Sequence, residues 1–121
     1  MFRNCTNLRS VKLDSGIEDI TIGGSTFENC INLTNVDFGD NITTISGAAF
    51  FKCTSLERIN TTDRLKVIGA EAFYTCSALK EFNITDNITD IGDSAFYACR
   101  QVTNFRLPVN ASYTTVGQGT F

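Results

Sequence analysis

One motif recurs along this chain at a fixed interval, and a fixed interval constrains the fold more than any single residue does. A phenylalanine column (Phe2, Phe27, Phe50, Phe73, Phe96 and Phe121) accompanies a cysteine column (Cys5, Cys30, Cys53, Cys76 and Cys99) three residues behind it. From Cys30 to Cys99 the cysteines stand 23 residues apart each time. Internal periods of about 20 to 50 residues belong to stacked architectures, in which each unit contacts only its neighbours. A single coil of this length cannot bury enough apolar surface to offset the entropy of ordering it, so the coils must shelter one another.

Within a unit the apolar columns predict the path of the chain. Leu8, Leu33, Leu56, Leu79 and Val102 follow the cysteines, and three residues on come Val11, Val36, Ile59, Phe82 and Phe105. Two residues later stand Leu13, Phe38, Thr61, Ile84 and Leu107, a period-2 step that reads as a short strand; Thr61 is the one polar intruder. A second extended segment holds Ile42, Leu65, Ile88 and Tyr113, then Ile45, Ile68, Ile91 and Val116. Its β-branched pairs Thr43-Thr44 and Thr114-Thr115 suit strand geometry, and no function is assigned to that face. Between closing turn and strand, apolar groups fall every third residue (Phe73, Cys76, Leu79), which predicts one or two tight helical turns. The expectation is an α/β solenoid: a parallel β-sheet on one face, with short helical or 3-10 turns and extended segments on the others. Residues 1–121 read as one domain of about five repeats of 23–25 residues, with the extra residues of the first and last units in surface loops.

The repeated pattern resembles the BspA-like (Treponema pallidum-type) leucine-rich repeats, a resemblance that runs from Phe2 to Phe121. Ala49-Phe50, Ala72-Phe73 and Ala95-Phe96 reproduce the Ala-Phe pair of that family, with Thr26-Phe27 and Thr120-Phe121 at the two ends. The Leu-Pro step of the family occurs once, as Leu107-Pro108. The resemblance implies a right-handed, curved coil used for binding, often on microbial or protist cell surfaces, and no enzymatic activity.

Charge and composition narrow the function classes. The chain carries a net charge of −3, which argues against nucleic acid as a partner because phosphate binding needs a basic surface. No apolar run approaches the roughly 18 residues needed to span a bilayer, so no membrane insertion is expected. Met1-Phe2-Arg3-Asn4-Cys5 begins inside a repeat and shows no signal-peptide hydrophobic region. Both ends cut the pattern mid-unit, which points to part of a longer repeat array or to self-association through uncapped ends.

With no histidine in the chain, there is no Ser-His or Cys-His pair to activate a nucleophile. The five cysteines lack the paired spacing of metal sites and read as buried thiols, one per coil. Adjacent coils would still bring their Cα atoms within disulfide reach, and the odd count leaves at least one thiol free. The acidic stretch from Asp86 to Asp93 fails the spacing of a calcium loop, because Ile88 and Ile91 interrupt it. Gly117-Gln118-Gly119 falls where the other units have their closing turn and reads as structural rather than phosphate-binding. No metal and no cofactor are expected.

The outward strand positions remain as the candidate ligand-binding residues: Ser10, Lys12, Asn35, Asp37, Arg58, Asn60, Glu81, Asn83, Asn104 and Arg106. Stacking turns them into two columns of mixed charge and amide with no aromatic among them. Such a surface favours a protein partner or cell-surface ligand over a sugar or base platform, which needs exposed rings. It would equally serve to keep an exposed sheet soluble. Asn-x-Ser/Thr sequences begin at Asn4, Asn32, Asn41, Asn60, Asn83, Asn87 and Asn110, acceptors for glycans in a secreted eukaryotic protein. The leading expectation is a non-catalytic, adhesin-like or host-contact module at the cell surface. The alternative is a structural spacer or assembly component, in a surface layer or virion, acting through end-to-end contacts.

Overall fold

In the computed structural model, which describes residues 1–13, 16, 18–103 and 115–120, the chain winds into a parallel-strand β-solenoid. Each of the first three coils contributes one short strand to each of two separate sheets. Sheet A contains β1 (Ser10–Lys12), β3 (Asn35–Asp37) and β5 (Arg58–Ile59), in the spatial order β1-β3-β5. Sheet B contains β2 (Ile20–Ile22), β4 (Ile42–Ile45), β6 (Val67–Ile68), β7 (Asp90–Ile91) and β8 (Thr115–Val116), in the order β2-β4-β6-β7-β8. All pairings are parallel, and each step across a sheet is one step along the repeat: Ser10 opposes Asn35, and Asn35 opposes Arg58. A single bridge from Arg58 to Glu81 continues sheet A beyond β5.

The strands are short because each coil buries only one or two inward side chains per segment. Val36 and Ile59 are buried between exposed polar neighbours, as the period-2 reading requires. The second extended segment is a full sheet, larger among the described residues than the one on the first segment. In β4 both end residues, Ile42 and Ile45, point into the core while Thr43 and Thr44 sit partly exposed, and a register shift between Ile20 and Thr21 accommodates the first unit. Thr61, the intruder in an apolar column, is accommodated by donating its hydroxyl to the Asn83 carbonyl at 3.1 Å.

The expected helical turns are a correction: no helix occurs among the described residues, and the segment is a spiral of successive tight turns. Its backbone alternates. The amides of Thr26, Glu28 and Cys30 donate to carbonyls three residues back, whereas those of Ser25, Phe27 and Asn29 donate to Gly47, Ala49 and Phe51 of the next coil. A helix would keep all of these bonds within its own segment. Left-handed residues make the alternation possible, with Ser25, Ala48, Glu71 and Ser94 at φ 54° to 57° and Asn29, Lys52, Thr75 and Ala98 at φ 58° to 59°. The turn face is thus a third ladder between coils, and the three-residue apolar spacing that suggested a helix is shared by consecutive turns.

The core is built from columns. Phe27, Phe50, Phe73 and Phe96 stack with ring centroids 5.2–5.3 Å apart and nearly parallel planes. Phe82 meets Phe73 and Phe96 edge-on at 5.1 and 4.9 Å, the favourable complement to stacked rings. Cys30, Cys53 and Cys76 lie buried beside this column as free thiols. The carbonyls of Phe2, Phe27, Phe50 and Phe73 each accept two bonds. The Phe27 carbonyl receives the Cys30 amide at 3.1 Å and the Cys53 thiol of the next coil at 3.0 Å. The Phe50 and Phe73 carbonyls repeat the arrangement with Cys76 and Cys99. Cysteine suits this column because it is a small apolar residue that also carries a weak donor.

Candidate functional site

On sheet A the parallel register brings together six of the residues expected on its outer face. Ser10, Lys12, Asn35, Asp37, Arg58 and Asn60 are all exposed and line one shallow groove of about 350 Å³ whose floor is Val11 and Val36. Glu81 and Asn83 continue the two columns as exposed residues but stand outside the groove lining. Asn104 and Arg106 lie outside the described residues.

Two of the six are committed to the scaffold. Asn60 donates its side-chain amide to the Asp37 carboxylate at 2.8 Å and accepts the Phe38 amide at 2.9 Å, joining two coils. Asp37 also accepts the Gly39 amide at 3.0 Å. That backbone bond, then the Asn60 bond and the nearby Lys12 ammonium, hold the Asp37 carboxyl below its ordinary pKa. Asn35 donates to its neighbour Thr34 at 3.2 Å. Among the described residues Lys12 and Arg58 make no ion pair, so they are the cations of this face available to a partner.

Two surface features were not singled out from the sequence. On the turn face Phe51, Tyr74 and Tyr97 form an outer ring ladder, stacked 4.9 Å apart, with the Lys52 ammonium 5.3 Å from the Phe51 centroid. The signal was present, since each ring directly follows a residue of the core phenylalanine column. The second feature is a wider depression of about 540 Å³ beside sheet B, where Asp19, Asp63 and Asp86 mix with Arg64 and Lys66. Arg64 there pairs with Asp19.

Among the described residues no group of three or more Cys, Asp or Glu side chains could hold a metal ion. Burial, with a further push from Cys30, raises the Cys53 thiol to about 12, and burial alone raises Cys99 to about 12; Cys76 is driven well above the ordinary thiol range. Such thiols are poor nucleophiles because the thiolate is the reactive form. No described helix is long and apolar enough to cross a membrane. Of the Asn-x-Ser/Thr acceptors, Asn32, Asn41 and Asn60 spend a side-chain N–H on a neighbouring coil or segment.

A family model described as BspA type leucine rich repeat region matches residues 1–121 in six copies. No curated protein matches the sequence. Three solved bacterial structures do. A leucine-rich repeat protein from Bacteroides ovatus is 31% identical with a TM-score of 0.81, covering 96% of this chain and 30% of that one. The T. pallidum leucine-rich repeat protein is 28% identical with a TM-score of 0.82, covering 94% of this chain and 54% of that one. One from Eubacterium ventriosum is 26% identical with a TM-score of 0.76, covering 91% and 28% respectively. This chain therefore spans from under a third to about half the length of these relatives. Repeats of this family generally mediate protein interactions, and family and fold are typically non-enzymatic.

Proposed function

We propose that this chain, which belongs to the BspA-type leucine-rich-repeat family, is a non-catalytic module that binds a protein through the outer face of sheet A. The observation carrying this reading is the groove: six exposed polar and charged side chains from three successive coils converge on it. Rigid strands held in register by the core columns pre-organise those side chains, which lowers the entropy lost on binding. Mixed charge with free Lys12 and Arg58 suits specific, steered recognition of a polar protein surface. BspA-type repeats are often surface-associated, and an adhesin-like or host-contact role at a cell surface is part of the proposal.

The test compares three forms on an array of extracellular protein domains: the parent chain, a sheet-A variant (Lys12→Glu, Arg58→Glu, Glu81→Lys), and a turn-face variant (Tyr97→Ser). Signals of the parent chain should disappear in the first variant and persist in the second. Binding that survives the triple charge reversal sinks the sheet-A assignment.

A further inference from the structure

Resting on that reading of sheet A, we infer that its groove takes an acidic peptide segment and seats a partner carboxylate on Arg58. The groove is lined by three ionisable side chains, Lys12, Asp37 and Arg58, so its lining is net positive in a chain whose overall charge is −3. The one negative member is already satisfied. Asp37 accepts from the Gly39 amide and from Asn60, with Lys12 close enough to favour its charge. Arg58 has no comparable hydrogen-bonded partner among the described residues. It makes no ion pair among the described residues, and Glu81, next to it in register, stays outside the groove lining.

The row to which Arg58 belongs strengthens the preference for an anion. Ser10, Asn35 and Arg58 are register partners on successive coils, and all three carry hydrogen-bond donors: a hydroxyl, an amide and a guanidinium. A carboxylate on the guanidinium forms a charge-assisted, two-pronged pair, with the neighbouring donors flanking it. A sulfated glycan fits less well. It calls for several cations and, for its sugar rings, an exposed aromatic face, whereas the groove offers two cations, one of them beside Asp37, and no aromatic ring.

The experiment is selection of random twelve-residue peptides displayed on phage, using the folded chain as bait and Arg58→Glu in parallel. Arg58 is an exposed residue of a two-residue strand, so its substitution should leave the circular dichroism spectrum unchanged. The expected result is enrichment of peptides with net negative charge whose affinity falls about tenfold or more in Arg58→Glu. Synthetic versions with Gln and Asn replacing Glu and Asp should weaken similarly on the parent chain, a comparison that needs no variant to fold. Enriched neutral or basic peptides that are lost in the Lys12→Glu, Arg58→Glu double variant overturn the acidic assignment while leaving sheet-A binding standing. A heparin fragment that binds more tightly than the selected peptides, and loses its affinity in Arg58→Glu, also overturns it. Peptides indifferent to every sheet-A substitution, or no enrichment at all, overturn both this inference and the function proposed above.

Discussion

Removing the Phe73 ring is the sharpest probe of the stacked core. Phe73 is fully buried, lies between Phe50 at 5.3 Å and Phe96 at 5.2 Å, and meets the edge of Phe82 at 5.1 Å. Truncation to alanine removes the transfer energy of the ring and leaves a cavity, at a combined cost of about 3–5 kcal/mol. Three aromatic contacts are lost together, each worth about 0.5–1.5 kcal/mol beyond area, which places the expected value toward the upper end of that range. Domains of this size are stable by roughly 5–15 kcal/mol, so the loss is a large fraction of the total. With a urea slope of about 1–3 kcal/mol/M, a loss of about 4 kcal/mol lowers the midpoint by roughly 1.3–4 M. The control is Phe2→Ala, since Phe2 is 41% exposed and, among the described residues, stacks on Phe27 alone. Urea titrations followed by far-ultraviolet circular dichroism would rank the two. Equal midpoint shifts for Phe73→Ala and Phe2→Ala would refute the view that a continuous ring column carries the stability.

Gly92→Ala should destabilise by about 1–3 kcal/mol or more, because a Cβ there falls 2.6 Å from the Ala70 Cα of the preceding coil. Gly47→Ala, whose Cβ meets the Ala70 carbonyl at 3.3 Å, should be much better tolerated; thermal melts of the two variants check the contrast. Asn60→Ala should raise the Asp37 carboxyl pKa, measured by NMR titration, since one of the two bonds that lower it is lost. The thiol column predicts alkaline sensitivity. Its protonated form is favoured in the folded state, so this stabilisation is full below the ordinary thiol value of about 8.5. It falls away as pH rises toward about 12, visible as a declining urea midpoint over that window. Native-state alkylation at neutral pH should correspondingly label Cys53 and Cys76 only after denaturation, as mass spectrometry of the modified chain would show.

Much of this architecture is legible in the sequence because a repeat multiplies its own signal. The apolar columns through Leu33, Leu56 and Leu79, and through Phe50, Phe73 and Phe96, are buried as their periodicity requires. The outward positions Ser10 to Asn83 are exposed for the same reason, since alternation along a strand leaves them no inward option. The turn segment misled because a three-residue apolar spacing fits a tight helix and a chain of turns equally well. Only the left-handed residues distinguish them, and Lys52, Glu71, Thr75 and Ala98 are not residue types that announce such a conformation. The division of labour on sheet A was also hidden. Asp37 and Asn60 look like two more exposed polar groups in sequence, yet they meet 23 residues apart and brace neighbouring coils.

Period and polarity, both properties of the letters alone, determined that this chain must stack and which side chains face inward. An unstacked coil cannot offset its ordering entropy, and the period-2 step allows only one set of residues to be buried. Tertiary structure decided how the turn face closes, because backbone donors there have two competing acceptors. Every other amide bonds along the solenoid to the next coil, and the amides between them bond within the segment. The same inter-coil register decided which polar residues are spent on the scaffold and which, Lys12 and Arg58 above all, are left facing solvent.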